Sequence, residues 1–224
     1  MNLTKTKMQK TFKLIAISSL ALALSGCSWF SSSQETQTQD QPLANQISPI
    51  TSLEVAESRQ INQENSSVKW RGEVVTGVKG HEGTIPVSGF IGFNSNKELV
   101  AGTFELDINN LTNTDLEGEM QETLLEHLKG TDFFDTEKYP TANLNITSSE
   151  KLDENLYSLT ADLTIKDQTN SIQFKAEVNG TEITSMFDID RTRWGVTYGS
   201  GKFFDNLKDS AIKDEIMFDI KLSI

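Results

Sequence analysis

From Val68 to the C-terminus the apolar positions recur with a period of two. The clearest run is Tyr157, Leu159, Ala161, Leu163 and Ile165, interleaved with Ser158, Thr160, Asp162 and Thr164. Successive strand side chains point to opposite faces, so this run predicts a half-buried strand. After the turn Lys166-Asp167-Gln168-Thr169-Asn170 the alternation resumes at Ile172, Phe174, Ala176 and Val178, which predicts a hairpin. Phe104, Leu106 and Ile108 keep the same rhythm, as do Ala142, Leu144 and Ile146, and then Ile216, Phe218, Ile220 and Leu222. Phe90-Ile91-Gly92-Phe93, the turn Asn94-Ser95-Asn96-Lys97 and the run from Leu99 read as a second hairpin. One segment departs from the rhythm. In EGEMQETLLEHLK, Met120, Leu124, Leu125 and Leu128 fall at i, i+4, i+5 and i+8, which predicts a helix over about 117–129. Thr114 or Asp115 is placed to cap its start and Gly130 to end it.

Short strands with one apolar and one polar face predict an all-β, antiparallel fold with this single short helix. Such a sheet protects its edges best by closing into a barrel, and about eight strands leave an interior for packed side chains or one small apolar ligand. Period alone leaves a sandwich open as the alternative.

The N-terminal residues change the picture. Residues 1–13 hold Lys5, Lys7, Lys10 and Lys13 and no acid, LIAISSLALAL follows at 14–24, and Ser25, Gly26 and Cys27 come next. That is the pattern of an export signal, with an apolar run shorter than the about 20 residues a spanning helix needs. Leu24-Ser25-Gly26-Cys27 resembles a bacterial lipobox, which implies a signal peptide over 1–26 and a lipid-anchored Cys27 as first mature residue. By the sorting pattern of enteric lipoproteins, Ser28 implies the outer membrane, facing the periplasm. Cys27 is the only cysteine, so no intramolecular disulfide exists and a domain of about 160 residues must rely on its core. SSSQETQTQDQPLANQ, 31–46, is polar and predicts a flexible tether, and 47–65 reads as weak helix or more linker, so the tether is placed at 27–65 and the barrel at 66–224. Removing residues 1–26 takes four lysines and no acid from a chain of net charge −12, leaving −16. So acidic a surface, with no basic cluster, excludes nucleic acid as a partner.

Five blocks then resemble, in order, the YceI-like family of exported lipid-binding domains. They are Ser67-Val68-Lys69-Trp70 with Gly80-His81-Glu82-Gly83 and Gly89-Phe90-Ile91; His127-Leu128-Lys129 through Asp132-Phe133-Phe134-Asp135 to Lys138-Tyr139-Pro140-Thr141-Ala142; Asp162-Leu163-Thr164-Ile165-Lys166; Asp190-Arg191 with Trp194-Gly195-Val196; and Lys213-Asp214-Glu215-Ile216. Ala161 stands where glycine is common, Asp167-Gln168 replaces a usual Gly-Val turn, and Gly199–Phe204 resembles an extended loop found in part of the family. The resemblance implies a lipocalin-like eight-stranded barrel with a long internal cavity for a polyisoprenoid or similar amphiphilic lipid; the residues themselves, as set out next, lead to the expectation of no enzymatic activity and no cofactor.

Candidate chemistry is sparse. His81 and His127 are the only histidines and stand in no metal-ligand spacing; no thiolate lies in the domain, and no Gly-x-Ser-x-Gly or phosphate-binding glycine loop occurs. HLKGTDFFDTEKYP, 127–140, reads as scaffold: Asp132 accepting backbone hydrogen bonds, Phe133 and Phe134 plugging the helix end onto the barrel, and Tyr139-Pro140 opening the next strand. The functional load falls on inward apolar residues: Phe104, Leu106, Leu144, Ile146, Leu159, Leu163, Phe174, Phe187, Phe218 and Ile220. Ala142, Ala161 and Ala176 leave room if they too face inward. Arg191 and Arg193, two apart on one strand face, are read as partners of surface carboxylates rather than of an anionic head group. Two other readings stay open: an envelope protein of structural or stress-response type with a filled barrel, and an enzyme acting on an isoprenoid or lipid.

Overall fold

The structure, a computed structural model, describes residues 54–224. The expected signal peptide, Cys27 and the tether up to residue 53 lie outside the described residues. Ten strands and one helix follow in the order β1 (Glu57–Gln60), β2 (Ser67–Glu73), β3 (Gly80–Ile85), β4 (Val87–Phe93), β5 (Leu99–Asp107), α1 (Gly118–Lys129), β6 (Thr141–Lys151), β7 (Leu156–Ile165), β8 (Gln168–Asn179), β9 (Glu182–Asp190) and β10 (Glu215–Ser223). They form one sheet in the order β1-β4-β5-β6-β7-β8-β9-β10-β2-β3, with every pairing antiparallel.

This order closes a barrel. β3 lies at one end of the sheet and β4 is next to the other, yet only Pro86 separates them. The two ends therefore meet at that residue. Proline has no N–H to give to a ladder, so it stands where one strand changes partners, from β2 on one side to β1 and β5 on the other. The bend between β1 and β2 seals the same corner: Ile61 N–H donates to Gly89 O at 3.0 Å and Asn62 N–H to Ser223 O at 2.8 Å. Counted as two bent strands, β1 with β2 and β3 with β4 give the eight-stranded, lipocalin-like barrel expected of the sequence.

The alternating face of β7 is the most regular part of the core, with Tyr157, Leu159, Ala161, Leu163 and Ile165 all buried and each intervening residue half-exposed. The β7–β8 turn is tighter than the sequence suggested. Lys166 and Asp167 alone make it, both at positive φ, and Gln168 already pairs with Ile165. That is the two-residue hairpin turn whose twist matches the strands, built here without glycine. Gly83 is required by a close approach: a Cβ there would stand 1.8 Å from Thr112 O, where Trp70 Nε1 donates at 3.1 Å.

Three local expectations are corrected. β1 lies inside 27–65, the stretch assigned to the tether; Glu-Ser-Arg-Gln carries no apolar alternation, because backbone pairing to β4 holds it. The helix starts at Gly118 with Glu117 as an N-cap that makes no side-chain bond, and neither Thr114 nor Asp115 caps it. Asp115 is occupied elsewhere, accepting from Glu82 N and pairing with His81 Nδ1, both at 2.9 Å. Gly130 does end the helix, but Asp132 is exposed and takes no backbone bond; its carboxylate lies 3.9 Å from His127 Nε2.

Candidate functional site: the barrel interior

Two apolar cavities lie inside the barrel. The smaller, about 70 Å³, is bounded by Val68, Phe104, Leu144, Leu159, Phe174 and Ile220, among others. The larger, about 350 Å³, lies between the other end of the barrel, α1 and the loops beside it, against Trp70, Leu124, Leu128, Phe133, Val196 and Phe218, among others. They follow one another along the same strand faces. On β10, Ile216 and Phe218 face the large cavity and Ile220 and Leu222 the small one, all at a spacing of two; on β2, Trp70 and Val68 do the same. One pleat repeat is thus the step from one cavity to the next. From Ile216 to Leu222 the shared apolar track runs about 20 Å at the rise of a strand.

A row of aromatic rings partitions the track. Phe174 stacks on Phe187 with centroids 4.5 Å apart, and Phe187 lies 5.8 Å from Phe218. Phe174 borders the small cavity and Phe218 the large one, with Phe187 between them.

Of the ten residues expected inside, Phe104, Leu106, Leu144, Ile146, Leu159, Phe174 and Ile220 border the small cavity, and Phe218 borders the large one. Phe187 belongs to the partition. Leu163 is buried core, since the neighbouring space is filled by Trp194, fully buried and donating Nε1–H to Leu163 O at 2.9 Å. Of the three alanines, all buried, Ala176 alone borders a cavity. Sequence reasoning missed most of the large cavity, because α1, Phe133–Phe134, Val196 and Ile212 come from a helix and loops that share no strand period. The signal present was the Phe133-Phe134 pair after the helix, which packs against the core as expected and also walls this cavity.

The polar groups are few and mostly committed. Arg191 stands on a single turn of 3-10 helix, Arg191–Trp194, and not on a strand face with Arg193 as expected. It is buried, and donates from Nε to Lys213 O (3.1 Å), from Nη1 to Val196 O (2.7 Å) and from Nη2 to Ile212 O (3.3 Å). Burial draws its guanidinium below the ordinary value, and the nearby Asp214 carboxylate opposes that. Asp214 is 3.9 Å from Arg191 and bridges through its other oxygen to Lys202 Nζ at 2.9 Å, so the expected surface pairing is a buried one. Arg193 is exposed, donates to Ser171 O at 3.0 Å and stacks over Trp194.

Of the two histidines, His81 borders the large cavity, together with Glu73, Lys79 and Arg191, and His127 does not. His81 pairs with Asp115; burial raises that carboxyl, but the Glu82 N–H, His81 and Asn113 outweigh it and hold it below the usual range. His127 packs edge-on against Tyr198, 4.5 Å away, and Phe133, 5.2 Å away. No group of three His, Cys, Asp or Glu side chains among the described residues is placed to hold a metal ion.

An antiparallel sheet curled around an apolar interior defines a lipocalin-like barrel. The YceI-like domain model matches residues 60–224, and the chain belongs to that family. BcnA of Burkholderia cenocepacia is similar in structure at a TM-score of 0.59 and 22% identity, over 73% of this chain and 99% of that one. A polyisoprenoid-binding domain from Saccharophagus degradans, implicated in plant cell wall breakdown, is similar at a TM-score of 0.52 and 14% identity, over 75% of this chain and 97% of that one. No curated protein matches the chain closely enough by sequence to count as a relative.

Proposed function

We propose that this protein binds the tail of a polyisoprenoid or similar amphiphilic lipid along the barrel interior, as a lipid-anchored protein of a bacterial envelope. The observation that carries the reading is the pair of apolar cavities in series on one set of strand faces. A round ligand needs one chamber, whereas a narrow track of about 20 Å suits a linear hydrocarbon chain. Each methylene moved from water into such a track contributes about 0.8 kcal/mol, so a few repeat units give slow release without any polar contact. The tail enters the large cavity first, and reaching the small one requires the Phe174–Phe187–Phe218 row to part. Membership of the YceI-like family and the named ligand class of the Saccharophagus domain support the assignment.

Binding rather than turnover is favoured because family membership and the named ligand class of the Saccharophagus domain point to it, and because Arg191, which borders the large cavity, donates to three main-chain carbonyls. Acylation of Cys27 and retention at the outer membrane, on its periplasmic face, complete the proposal.

The test is native mass spectrometry of the full chain, purified from membranes in detergent, with organic extraction of what it carries. A stoichiometric polyprenyl species is the expected result. A bare protein mass that stays unchanged after incubation with isoprenoid quinones and phospholipids overturns the reading in favour of a filled, structural barrel. The same spectrum reports the mass of the acyl chains on Cys27.

A further inference from the structure

Building on the lipid-binding reading, we infer that a layer of aromatic rings across the barrel interior measures the length of the bound tail. It admits about three isoprene units freely and penalises the fourth, with Phe187 as the specificity-determining residue. Strand pairing sets the layer. Phe187 lies directly opposite Phe218, and Phe218 opposite Trp70, while Phe174 stacks on Phe187. Rings from β8, β9, β10 and β2 therefore stand at one level, and Phe187 is the one with a phenylalanine on either side.

The layers on both sides carry small residues. One pleat repeat toward the small cavity, Ala176 lies opposite Ser185, Ser185 opposite Ile220 and Ile220 opposite Val68. All of these border that cavity. The Ser185 hydroxyl donates to Lys175 O at 2.6 Å, so its proton is committed to the main chain. One repeat the other way, Gly72 stands against Ile216, whose Cδ1 lies 3.2 Å from where a Cβ at 72 would be, and both border the large cavity. Void, rings and void thus alternate with the pleat. No residue borders both cavities, and Phe187 borders neither.

The volumes set the limit. An apolar cavity of about 150 Å³ holds one benzene, so the large cavity, about 350 Å³, takes roughly fourteen carbons, close to three isoprene units. The small cavity, about 70 Å³, is about half of what a single benzene needs. A fourth unit fits there only with space that a ring vacates. Trp70 cannot give way without losing its bond from Nε1 to Thr112 O. Phe187 has no polar anchor, and its displacement breaks both its ring contacts, with Phe174 at 4.5 Å and with Phe218 at 5.8 Å. The fourth unit is therefore opposed by a loss of ring packing that the first three do not meet.

The test incubates the full chain, in detergent, with an equimolar mixture of geraniol, farnesol and geranylgeraniol, which carry two, three and four isoprene units. Native mass spectrometry reads which alcohol is bound. Ratios between complexes count folded protein only, and the partition of each alcohol into detergent cancels when parent and variant are compared. In the parent, the farnesol complex should exceed the geraniol complex at least about tenfold, and geranylgeraniol should exceed farnesol by no more than about threefold. Phe187→Ala should raise the geranylgeraniol-to-farnesol ratio about tenfold, with Phe187→Leu moving it in the same direction. Leu163→Ala opens space beside Trp194, away from both cavities, and should keep the parent ratio. A parent that gains as much from the fourth unit as from the third overturns the inference. So does an equal rise in Leu163→Ala, or no rise in either Phe187 variant. A bare protein mass with all three alcohols, in parent and variants alike, overturns the lipid-binding reading itself and the length limit with it.

Discussion

Two alanines, identical by sequence pattern, should respond in opposite ways to the same substitution. Ala161 and Ala176 both face inward and both are buried, but Ala176 borders the small cavity and Ala161 does not. Replacing either with leucine adds three carbons, with a transfer gain of roughly 2.4 kcal/mol if they are accommodated. At Ala176 a void of about 70 Å³ receives part of the new side chain, so gain and strain nearly offset. Ala161, paired between Ile146 and Ile172, is fully buried and borders neither cavity. Overpacking there costs about 1–3 kcal/mol. In urea unfolding, with a slope of about 1–3 kcal/mol per molar, Ala161→Leu should lower the midpoint by about 1 M, and Ala176→Leu should leave it nearly unchanged. Lipid retention in native mass spectra should show the reverse order, with Ala176→Leu losing the ligand while folded. If Ala176→Leu unfolds as early as Ala161→Leu, the small cavity is filled core. If it stays folded and binds like the parent, the ligand path stops at the aromatic partition. Either result refutes the reasoning.

Three further outcomes follow from the same geometry. Arg191→Met removes the donors to Lys213, Val196 and Ile212 and leaves Asp214 buried with only Lys202, so chemical denaturation should show a loss of about 3–5 kcal/mol, the range for breaking a buried pair. Trp70→Phe deletes the 3.1 Å bond to Thr112 O and should cost about 1 kcal/mol, with faster amide exchange at Thr112–Asp115. Glu57 is held by Arg59 and then Lys97, which lower its carboxyl from 4.5 to about 2. A depressed carboxyl contributes stability that is fully present above its unfolded value and lost as pH falls through the folded one. Release of β1, read by amide exchange at Glu57–Gln60, should therefore set in below pH 4.5 and be complete near pH 2, and Glu57→Gln should abolish that pH dependence.

How much of this was legible depended on whether the signal was local. The β7–β8 hairpin could be read directly because burial of every second residue leaves its mark within ten positions, and Leu124 with Leu128 marked α1 in the same way. β1 could not be read, since Glu57–Gln60 is held by hydrogen bonds to a partner more than thirty residues away and by ion pairs rather than by a buried face. The arginine pair was misread because two cations at i and i+2 suit a strand as well as a turn. The turn was decided by Asp190, whose side chain accepts from Thr192 N at 3.0 Å and starts the 3-10 helix.

The sequence by itself determined the antiparallel strands, the position of the helix and which side chains face inward, because strand geometry converts a period of two into a face without reference to any neighbour. It did not determine which inward residues meet one another and which meet empty space. Leu163 and Ile220 obey the same alternation, yet Trp194 fills the space beside one and a cavity opens beside the other. That difference arises only when β7, β10 and the loop after β9 converge, since a void is the volume left over when side chains distant in sequence have packed as closely as the curvature of the sheet allows.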